Sequence, residues 1–283
     1  MHSKLASAGL VFALLGGAAS AATRPPATPL LHSTSVFVLD ESNSAVMLAR
    51  QADVAMPIAS ITKLMTALVV LEAGQALDEP LEITPDDRDP RYAGSRLEVG
   101  TRLSRGDLLH LALMASENRA AHALARNYPG GLIACVHAMN AKARALGMQS
   151  AQFVEPTGLS SYNIASSEDL AKLVQAAAES PTIQQYSTDK SYAVPIRRHL
   201  VEFRNTDSLV RNKTWNIVVQ KTGYIAEAGR CLVIKAILEG RSIVIVLLDS
   251  AGKYSRVGDA QRIRKWLESR LAADAAQFAM RGA

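Results

Sequence analysis

Hydrophobic and polar residues follow three successive patterns along this chain. Near its start, Val36–Leu39 and Ala45–Leu48 flank a polar segment, which predicts a β-hairpin. The middle of the chain has apolar residues at helical spacing and predicts a series of helices. After residue 190, β-branched runs predict three antiparallel strands, at Trp215–Lys221, Cys231–Leu238 and Ser242–Leu248. We therefore expect an α+β fold with an antiparallel five-stranded sheet built from both chain ends and an inserted helical lobe.

Local signals mark the ends of several predicted helices. Ser60 stands at the start of an apolar run that continues to Leu71, which predicts a helix from Ser60 to about Gly74. Ser104, with Asp107 in the capping-box position, predicts the start of a second and almost wholly apolar helix. Further helices are predicted at about Gly131–Leu146, Glu168–Glu179 and Ser255–Met280.

The N-terminal segment has the pattern of a cleaved secretory signal. A lysine precedes a short apolar centre at Gly9–Ala19, and small residues suited to cleavage follow it. We expect a signal peptide at residues 1–22, a flexible leader at residues 23–34 and one folded domain at residues 35–280. The cleaved signal peptide predicts export to the periplasm, and because no later stretch is apolar enough to span a membrane, at most peripheral membrane association is expected.

Composition narrows the classes of function. The chain has 283 residues and a formal net charge of +5, a modest excess that suits an anionic partner such as a cell-wall polymer or lipid headgroups. It lacks a dense basic stripe with interleaved aromatic residues, so nucleic-acid binding is not predicted. Its 6 histidines form no metal-binding pattern, and no metal site is predicted. Cys135 and Cys231 are expected to be buried free thiols rather than a disulfide.

The first candidate for chemistry is the Ser-x-x-Lys pattern of Ser60 and Lys63. The two residues lie one helical turn apart and therefore on the same face. A helix N-terminus favours an oxyanion, and an amine whose pKa is lowered by burial or by another cation can accept the serine proton. The pattern is weak by itself, because it recurs at Ser187–Lys190 and Ser250–Lys253, where no long apolar helix begins.

A second candidate, Ser116-Glu117-Asn118, follows directly on the second predicted helix. Since that helix is expected to be buried, these polar side chains lie in the interior and each needs a partner. The alternative is a junction between two helices in which Ser116 and Asn118 act as caps. Ser-x-Asn also recurs at Ser161–Asn163, so this motif is weak as well.

The third candidate, Lys221-Thr222-Gly223, occurs once and ends the first of the late strands. A strand edge can bind an extended peptide, and glycine removes a side chain that would block its approach. The threonine hydroxyl can bind a carboxylate or a carbonyl, and the lysine adds positive potential. The alternative is a strand that ends in a solvated turn.

In this order, the three motifs form the signature set of serine β-lactamases and penicillin-binding proteins. The chain resembles the low-molecular-mass D-Ala-D-Ala peptidases, and most of all their endopeptidase branch of the penicillin-binding protein 7 type. Ser116–Ala121 and Val154–Ser160 carry the closer likeness, and the resemblance covers roughly residues 35–275. It implies a β-lactamase/transpeptidase-like fold and hydrolysis of peptidoglycan peptide cross-links through an acyl-serine, with no cofactor. It also implies acylation by β-lactam antibiotics.

The resemblance implies a catalytic role for three residues. Ser60 would be the nucleophile, Lys63 the base that activates it, and Ser116 the relay that passes the proton to the leaving amine. Glu117 departs from the aspartate or glycine more usual at its position in relatives. That departure is harmless if the Glu117 side chain points away from the cleft.

The resemblance also implies a set of substrate-binding residues. These are Asn118, Lys221, Thr222, Gly223 and Tyr224. Asn118 would hold the substrate backbone, and Lys221 and Thr222 its negative end. The backbone N–H groups of Ser60 and Tyr224 would form the oxyanion hole.

Three alternatives stand beside the endopeptidase. A D-Ala-D-Ala carboxypeptidase of this family generally carries a β-rich domain and an amphipathic anchor after the catalytic domain, whereas 35 residues follow Leu248 here, which favours the endopeptidase. A β-lactamase needs a group that drives deacylation, and Glu155 is a candidate base without the Glu-x-x-x-Asn spacing expected of one. A non-enzymatic penicillin sensor needs a membrane span, which the sequence does not predict.

Overall fold

The computed structural model describes residues 27–89 and 94–281, so the predicted signal peptide and the first part of the predicted leader lie outside it. Strands and helices are given in chain order. The strands are β1 (Ser33–Asp40), β2 (Ala45–Arg50), β3 (Met56–Pro57), β4 (Pro80–Glu82), β5 (Arg102–Ser104), β6 (Ile164–Ala165), β7 (Ser191–Ile196), β8 (His199–Arg204), β9 (Asn216–Ile225), β10 (Gly229–Leu238) and β11 (Arg241–Ser250). The α-helices are α1 (Thr62–Glu72), α2 (Arg105–Met114), α3 (Asn118–Arg126), α4 (Gly131–Ala145), α5 (Ser167–Ala177), α6 (Pro181–Thr188) and α7 (Ser255–Arg281).

The central element is an antiparallel five-stranded sheet of order β2-β1-β11-β10-β9. Strand β1 pairs with β11, with Ser33 opposite Ser250 and Asp40 opposite Ile243. The prediction of one sheet built from both chain ends is therefore confirmed. Strand β9, which ends the order on one side, carries the Lys-Thr-Gly motif at an open edge.

The first strand begins two residues before the predicted domain boundary. Ser33 donates from its N–H and from its Oγ to Asp259 of α7, at 2.7 and 2.6 Å. Asp259 is fully buried, so its carboxylate needs these donors. The assignment of residues 33 and 34 to the flexible leader is therefore wrong, because both belong to the sheet.

The two faces of the sheet are both covered, which explains why its inner strands are almost continuously apolar. Val36 and Val38 of β1 pack in one hydrophobic cluster with Ile263 of α7. Phe37, between them, packs in the other cluster with the helical lobe formed by α1–α6. The lobe lies on the opposite face of the sheet from α7.

Most predicted helix ends agree with the structure, and the Ser104–Asp107 capping box is present at the start of α2. Helix α6 and the hairpin of β7 and β8 were not predicted. These elements are short and partly exposed, and β7 contains Pro195, so neither gives a clear periodic signal.

Two expected features of composition can be compared with the structure. Cys135 and Cys231 are buried free thiols, as predicted. Burial raises the pKa of Cys135 to about 12 and that of Cys231 to about 11, so both stay protonated and unreactive at neutral pH. Among residues 27–89 and 94–281, no helix is long and apolar enough to cross a membrane.

Candidate active site

Ser60 lies in a 3-10 turn, Ala59–Ile61, that leads directly into α1. The preceding Ala59 has a φ of +47°, a strained conformation for a residue with a side chain. Gly158 packs against this turn, because a β-carbon built at Gly158 would lie 1.9 Å from the carbonyl oxygen of Ala59. The strained turn is thus held in place by backbone from a distant loop, and Ser60 is left 9% exposed.

Lys63, in the first turn of α1, is fully buried and makes three hydrogen bonds. Its Nζ donates to Ser60 Oγ at 2.9 Å, to Asn118 Oδ1 at 2.7 Å and to the Thr157 carbonyl at 2.6 Å. An ammonium has three donors, so this arrangement satisfies all of them. The structure brings Ser60, Lys63 and Asn118 together as the sequence predicted.

The environment of Lys63 lowers its pKa to about 8. Burial is the cause, and the carboxylates of Glu155 and Glu117 oppose it by favouring the charged form. Such an amine is mostly charged at neutral pH but loses its proton far more easily than an exposed lysine. Lys63 can therefore serve as a base toward the Ser60 hydroxyl.

Glu155 holds the loop that presents the Thr157 carbonyl to Lys63. One carboxylate oxygen accepts from the Thr157 N–H and Oγ1 at 2.7 and 2.5 Å. The other accepts from the Gly158 N–H at 2.6 Å and from Asn163 Nδ2 at 2.8 Å. With both oxygens engaged, Glu155 is built into the loop as its anchor rather than presented as a free deacylating base.

Asn163, which was not predicted as a site residue, connects this loop to the nucleophile turn. Its Oδ1 accepts from the Val154 N–H at 2.7 Å, and its Nδ2 donates to Thr62 Oγ1 at 3.1 Å. Its carbonyl accepts from the Ile58 N–H at 3.1 Å. The second Ser-x-Asn match, at Ser161–Asn163, therefore supplies a buried structural amide beside the site.

The first Ser-x-Asn motif joins α2 to α3. Ser116 has a φ of +59°, a second strained position, and it lines the same cleft as Asn118 and Thr157. The side chain of Glu117 caps α3 by accepting from the Arg119 N–H at 3.2 Å. Glu117 also lines the cleft.

Strand β9 presents Lys221 and Thr222 beside the same centre. Lys221 is fully buried, and its Nζ donates to the Thr222 carbonyl at 2.9 Å. The hydroxyl of Thr222 lies 2.6 Å from that of Thr206. Thr206 also donates from its N–H to the Met114 carbonyl at the end of α2, so it links the two motifs. No local sequence signal distinguishes Thr206.

Lys221 was predicted to add positive potential, but its surroundings in the structure disfavour the charged ammonium. Burial, and then the positive charges of Lys63 and Arg256, lower the pKa of Lys221 well below its ordinary value. Its charge is therefore not fixed by the protein alone. An anionic group that binds beside Lys221 favours the ammonium again, so substrate binding and protonation of Lys221 support each other.

The structure gives a different reason for Gly223 than the one predicted. A β-carbon at Gly223 would lie 3.0 Å from the Ile58 carbonyl oxygen and 3.1 Å from the Ser60 nitrogen. The glycine therefore makes room for the nucleophile turn. Arg256 at the start of α7 donates from Nη1 to the Gly223 carbonyl at 2.8 Å and fixes the strand there. Tyr224 follows and is 55% exposed, which leaves it at the open edge.

The remaining Ser-x-x-Lys matches lie away from this centre. Ser187 is fully buried in α6, and its Oγ donates to the Gln184 carbonyl at 3.3 Å. Ser250 ends β11, at 2% exposure. Neither serine has a lysine amine within hydrogen-bond distance among the described residues, so Ser60 is the candidate nucleophile that the geometry favours.

A cleft of about 760 Å³ opens beside these residues, a size usual for ligand sites. Its lining runs from Thr157 and Ser116 along α3 to the segment around Asp86. Within the described part of the chain, no cluster of three or more His, Cys, Asp or Glu side chains is arranged to hold a metal ion.

This fold and this serine–lysine centre together define a serine peptidase of the penicillin-binding type. The chain resembles a solved D-alanyl-D-alanine carboxypeptidase from Mycobacterium tuberculosis, with a TM-score of 0.77 and 26% identity over 87% of this chain and 94% of that one. Residues 20–252 match the D-alanyl-D-alanine carboxypeptidase family, peptidase family S11, and the chain belongs to that family.

Two relatives are similar over most of their length. A D-alanyl-D-alanine endopeptidase of Pseudomonas aeruginosa is 45% identical over 278 residues, which are 95% of this chain and 90% of the relative. A D-alanyl-D-alanine endopeptidase of Escherichia coli K12 is 42% identical over 262 residues, which are 91% of this chain and 84% of the relative. The resemblance stated from the three motifs, including its endopeptidase branch, is confirmed.

Proposed function

We propose that this protein is a periplasmic endopeptidase that hydrolyses the D-Ala–diaminopimelate cross-links of peptidoglycan through an acyl-enzyme on Ser60. The observation that carries the proposal is the 2.9 Å hydrogen bond between the buried Lys63 amine and the Ser60 hydroxyl. It gives a serine an adjacent base whose pKa is already lowered. The two endopeptidase relatives support the choice of substrate.

In the first step, neutral Lys63 takes the Ser60 proton as Oγ attacks the carbonyl carbon of the D-Ala that is joined to the diaminopimelate amine. The backbone N–H groups of Ser60 and Tyr224 bind the resulting oxyanion, each donor being worth about 2.7–4 kcal/mol in comparable sites. Ser116 then passes a proton to the amide nitrogen, and the carbon–nitrogen bond breaks. A water molecule attacks the acyl-serine, which releases the D-Ala carboxylate and returns the proton to Ser60.

The other motif residues hold the peptide during these steps. Asn118 accepts a bond from Lys63 through Oδ1 and has its amide N–H₂ available for a substrate carbonyl. Lys221 and Thr222 bind the carboxylate beside the scissile amide, at the edge of β9. β-Lactams carry a reactive amide and a carboxylate in a similar arrangement, and they acylate the same serine.

The family description names carboxypeptidases, so that activity is the rival proposal. A side-by-side assay on purified cross-linked dimer and on pentapeptide monomer separates the two. We expect Ser60-dependent conversion of dimers to monomers and little release of terminal D-Ala. Ser60→Ala should remove the activity. Ser187→Ala, the control at a buried serine away from the site, should keep it. Faster Ser60-dependent release of D-Ala from the pentapeptide would establish the carboxypeptidase instead.

A further inference from the structure

Asp207 is a buried carboxylate beside the Lys-Thr-Gly motif that the catalytic steps do not use. It is 1% exposed, and its Oδ1 accepts from the Leu209 N–H at 2.9 Å, which caps the 3-10 turn Ser208–Arg211. Among the residues that the structure describes, no donor makes a hydrogen bond to its other oxygen, Oδ2. An asparagine or a serine can cap such a turn as well. Capping therefore explains Oδ1 and leaves the charge and Oδ2 without a role.

Two side-chain contacts hold the segment before Asp207 alongside β9. Asn205 Oδ1 accepts from Gln220 Nε2 at 2.9 Å. The Thr206 hydroxyl lies 2.6 Å from the Thr222 hydroxyl. These two partners on β9 are the residues on either side of the motif's lysine. Asp207 therefore continues a segment that is bound to both sequence neighbours of that lysine.

The charges that act on Lys221 are mainly positive. Burial lowers the pKa of Lys221 most, and the positive charges of Lys63 on α1 and Arg256 on α7 lower it further. The Asp207 carboxylate opposes them. The hydrogen bond that Lys221 Nζ donates goes to a neutral group, the Thr222 carbonyl. In the described part of the chain, the anionic group that favours the Lys221 ammonium is thus Asp207.

Asp207 in turn lies among cations. Burial raises the pKa of Asp207, and a backbone N–H and then the positive charges of Arg256, Arg211 and Lys221 oppose that rise. Both guanidinium groups donate to backbone carbonyls, at 3.2 Å for Arg211 and at 2.8 Å for Arg256. One carboxylate beside three cations leaves an excess of positive charge, which suits the carboxylate of a substrate.

We propose that Asp207 is a positioning residue that acts through Lys221: its buried carboxylate stabilises the Lys221 ammonium, which binds the carboxylate beside the scissile amide. The proposal rests on the proposed function and adds a residue that determines its specificity for anionic substrates. A buried ammonium and a buried carboxylate stabilise each other's charged forms. When Asp207 loses its charge, more of Lys221 is neutral, and an anionic substrate binds less well.

The test compares two acylating compounds that differ in a carboxylate. Benzylpenicillin carries this group, and its methyl ester does not, while both should acylate Ser60 with Lys63 as the base. The ratio of their second-order rate constants therefore cancels the titration of Lys63 and reports the charge on Lys221. In wild type, we expect this ratio to be largest at about pH 6 and to fall toward about pH 9 as Lys221 loses its proton.

Asp207→Asn and Asp207→Ser both remove the charge and keep an acceptor for the Leu209 N–H. Because loss of the carboxylate lowers the pKa of Lys221 further, the fall of the ratio should move to lower pH by about one pH unit. Where the ratio is falling, it should then be about 10-fold smaller than in wild type. The rate constant for the methyl ester should stay nearly unchanged, which also shows that each variant is folded.

Two further variants serve as controls. Asp40→Asn is matched, because Asp40 is fully buried, accepts from the Ser42 N–H at 3.0 Å and lies on β1, which β10 and β11 separate from β9. The ratio in Asp40→Asn should follow wild type. In Lys221→Arg the cation cannot lose its proton, so the ratio should not vary with pH, and adding Asp207→Asn should introduce no pH dependence.

The outcomes separate this role from a structural one. An equal loss of rate with both compounds overturns the proposal, because Asp207 then acts through the fold alone. The same pH dependence of the ratio in wild type and in both Asp207 variants overturns it as well. If neither compound acylates wild type, the proposed function itself has failed. If both compounds acylate wild type equally at every pH, the binding of a carboxylate by Lys221 has failed, and the role of Asp207 fails with it.

Discussion

Lys63 and Thr157 lie 94 residues apart in the sequence, yet the amine of the first donates to the carbonyl of the second over 2.6 Å. The Thr157 carbonyl is presented by a loop that Glu155 holds through bonds to its N–H groups and hydroxyl. The orientation of the proposed base is therefore set by a carboxylate that takes no part in proton transfer. Substitution of Glu155 should therefore change the orientation of the Lys63 amine.

Glu155→Gln is expected to slow acylation by benzylpenicillin by at least about 10-fold and to lower the free energy of unfolding by about 1–3 kcal/mol. The glutamine amide places donors against the N–H groups that the carboxylate now accepts, so the loop loses part of its anchor. Stopped-flow acylation and thermal unfolding measure the two effects. Glu179→Gln makes the same chemical change at an exposed residue, and equal behaviour of the two variants would contradict the anchoring role.

Gly158→Ala is expected to disturb the nucleophile turn directly. The new β-carbon would meet the Ala59 carbonyl oxygen at 1.9 Å, and neither backbone can yield without moving Ser60. Gly147→Ala is the matched control, since Gly147 has a similar positive φ of +69° but nothing within 4 Å of its β-carbon position. Gly147→Ala should lower the free energy of unfolding by about 1 kcal/mol. Gly158→Ala should lower it by about 1–3 kcal/mol more and should also lose most of the acylation activity. Similar losses in both variants would show that the close contact is unimportant.

The rate of acylation is expected to rise with pH through the pKa of Lys63, which is about 8. Burial lowers this pKa, so the neutral form that acts as base is a minor species at pH 7 and dominates by pH 9, a rise of about tenfold. Lys63→Arg keeps the positive charge but cannot lose a proton, and it should abolish the rising limb together with the activity. Lys221→Arg should retain measurable activity and the same rising limb. If Lys221→Arg abolishes the rising limb while Lys63→Arg keeps it, Lys221 is the base and the roles of the two lysines are reversed.

Benzylpenicillin is expected to form a stable adduct on Ser60. Intact mass should increase by one penicilloyl group, and peptide mapping should locate it in the peptide that contains Ser60 and Lys63. Ser187 and Ser250, which also stand three residues before a lysine, are buried and should remain unmodified. An adduct on either of them, or none in a folded sample, would exclude the assigned nucleophile.

Local sequence signals were sufficient for the elements that carry the motifs. The apolar run after Ser60 predicted α1, and the Ser104–Asp107 capping box predicted α2, because both signals come from residues that are close in the sequence. The late β-branched runs predicted β9, β10 and β11, although β9 extends past Gly223 to Ile225. The three motifs then indicated a shared site because each fell at the end or the start of a predicted element.

The supporting residues could not be predicted in the same way, because their roles depend on contacts between distant segments. Thr206 matters through its contact with Thr222, and Arg256 through its bond to the Gly223 carbonyl. Gly158 looks like an ordinary turn glycine until it is placed against Ala59. Glu155 was considered only as a candidate base, whereas in the structure it accepts from the N–H groups of Thr157 and Gly158 and anchors their turn.

The order of strands in the sheet has a consequence for how the chain acquires its fold. Strand β11 is the central strand, and it is also the last to be synthesised, whereas its neighbour β1 is the first. At about 5–20 residues per second, β1 waits on the order of 10–40 s for its partner, with its apolar side chains uncovered. Chains shortened from the C-terminus should therefore stay sensitive to protease unless they contain both Arg241–Ser250 and α7. The sheet therefore closes only when nearly the whole chain is available, so an exported chain that is still incomplete cannot yet fold.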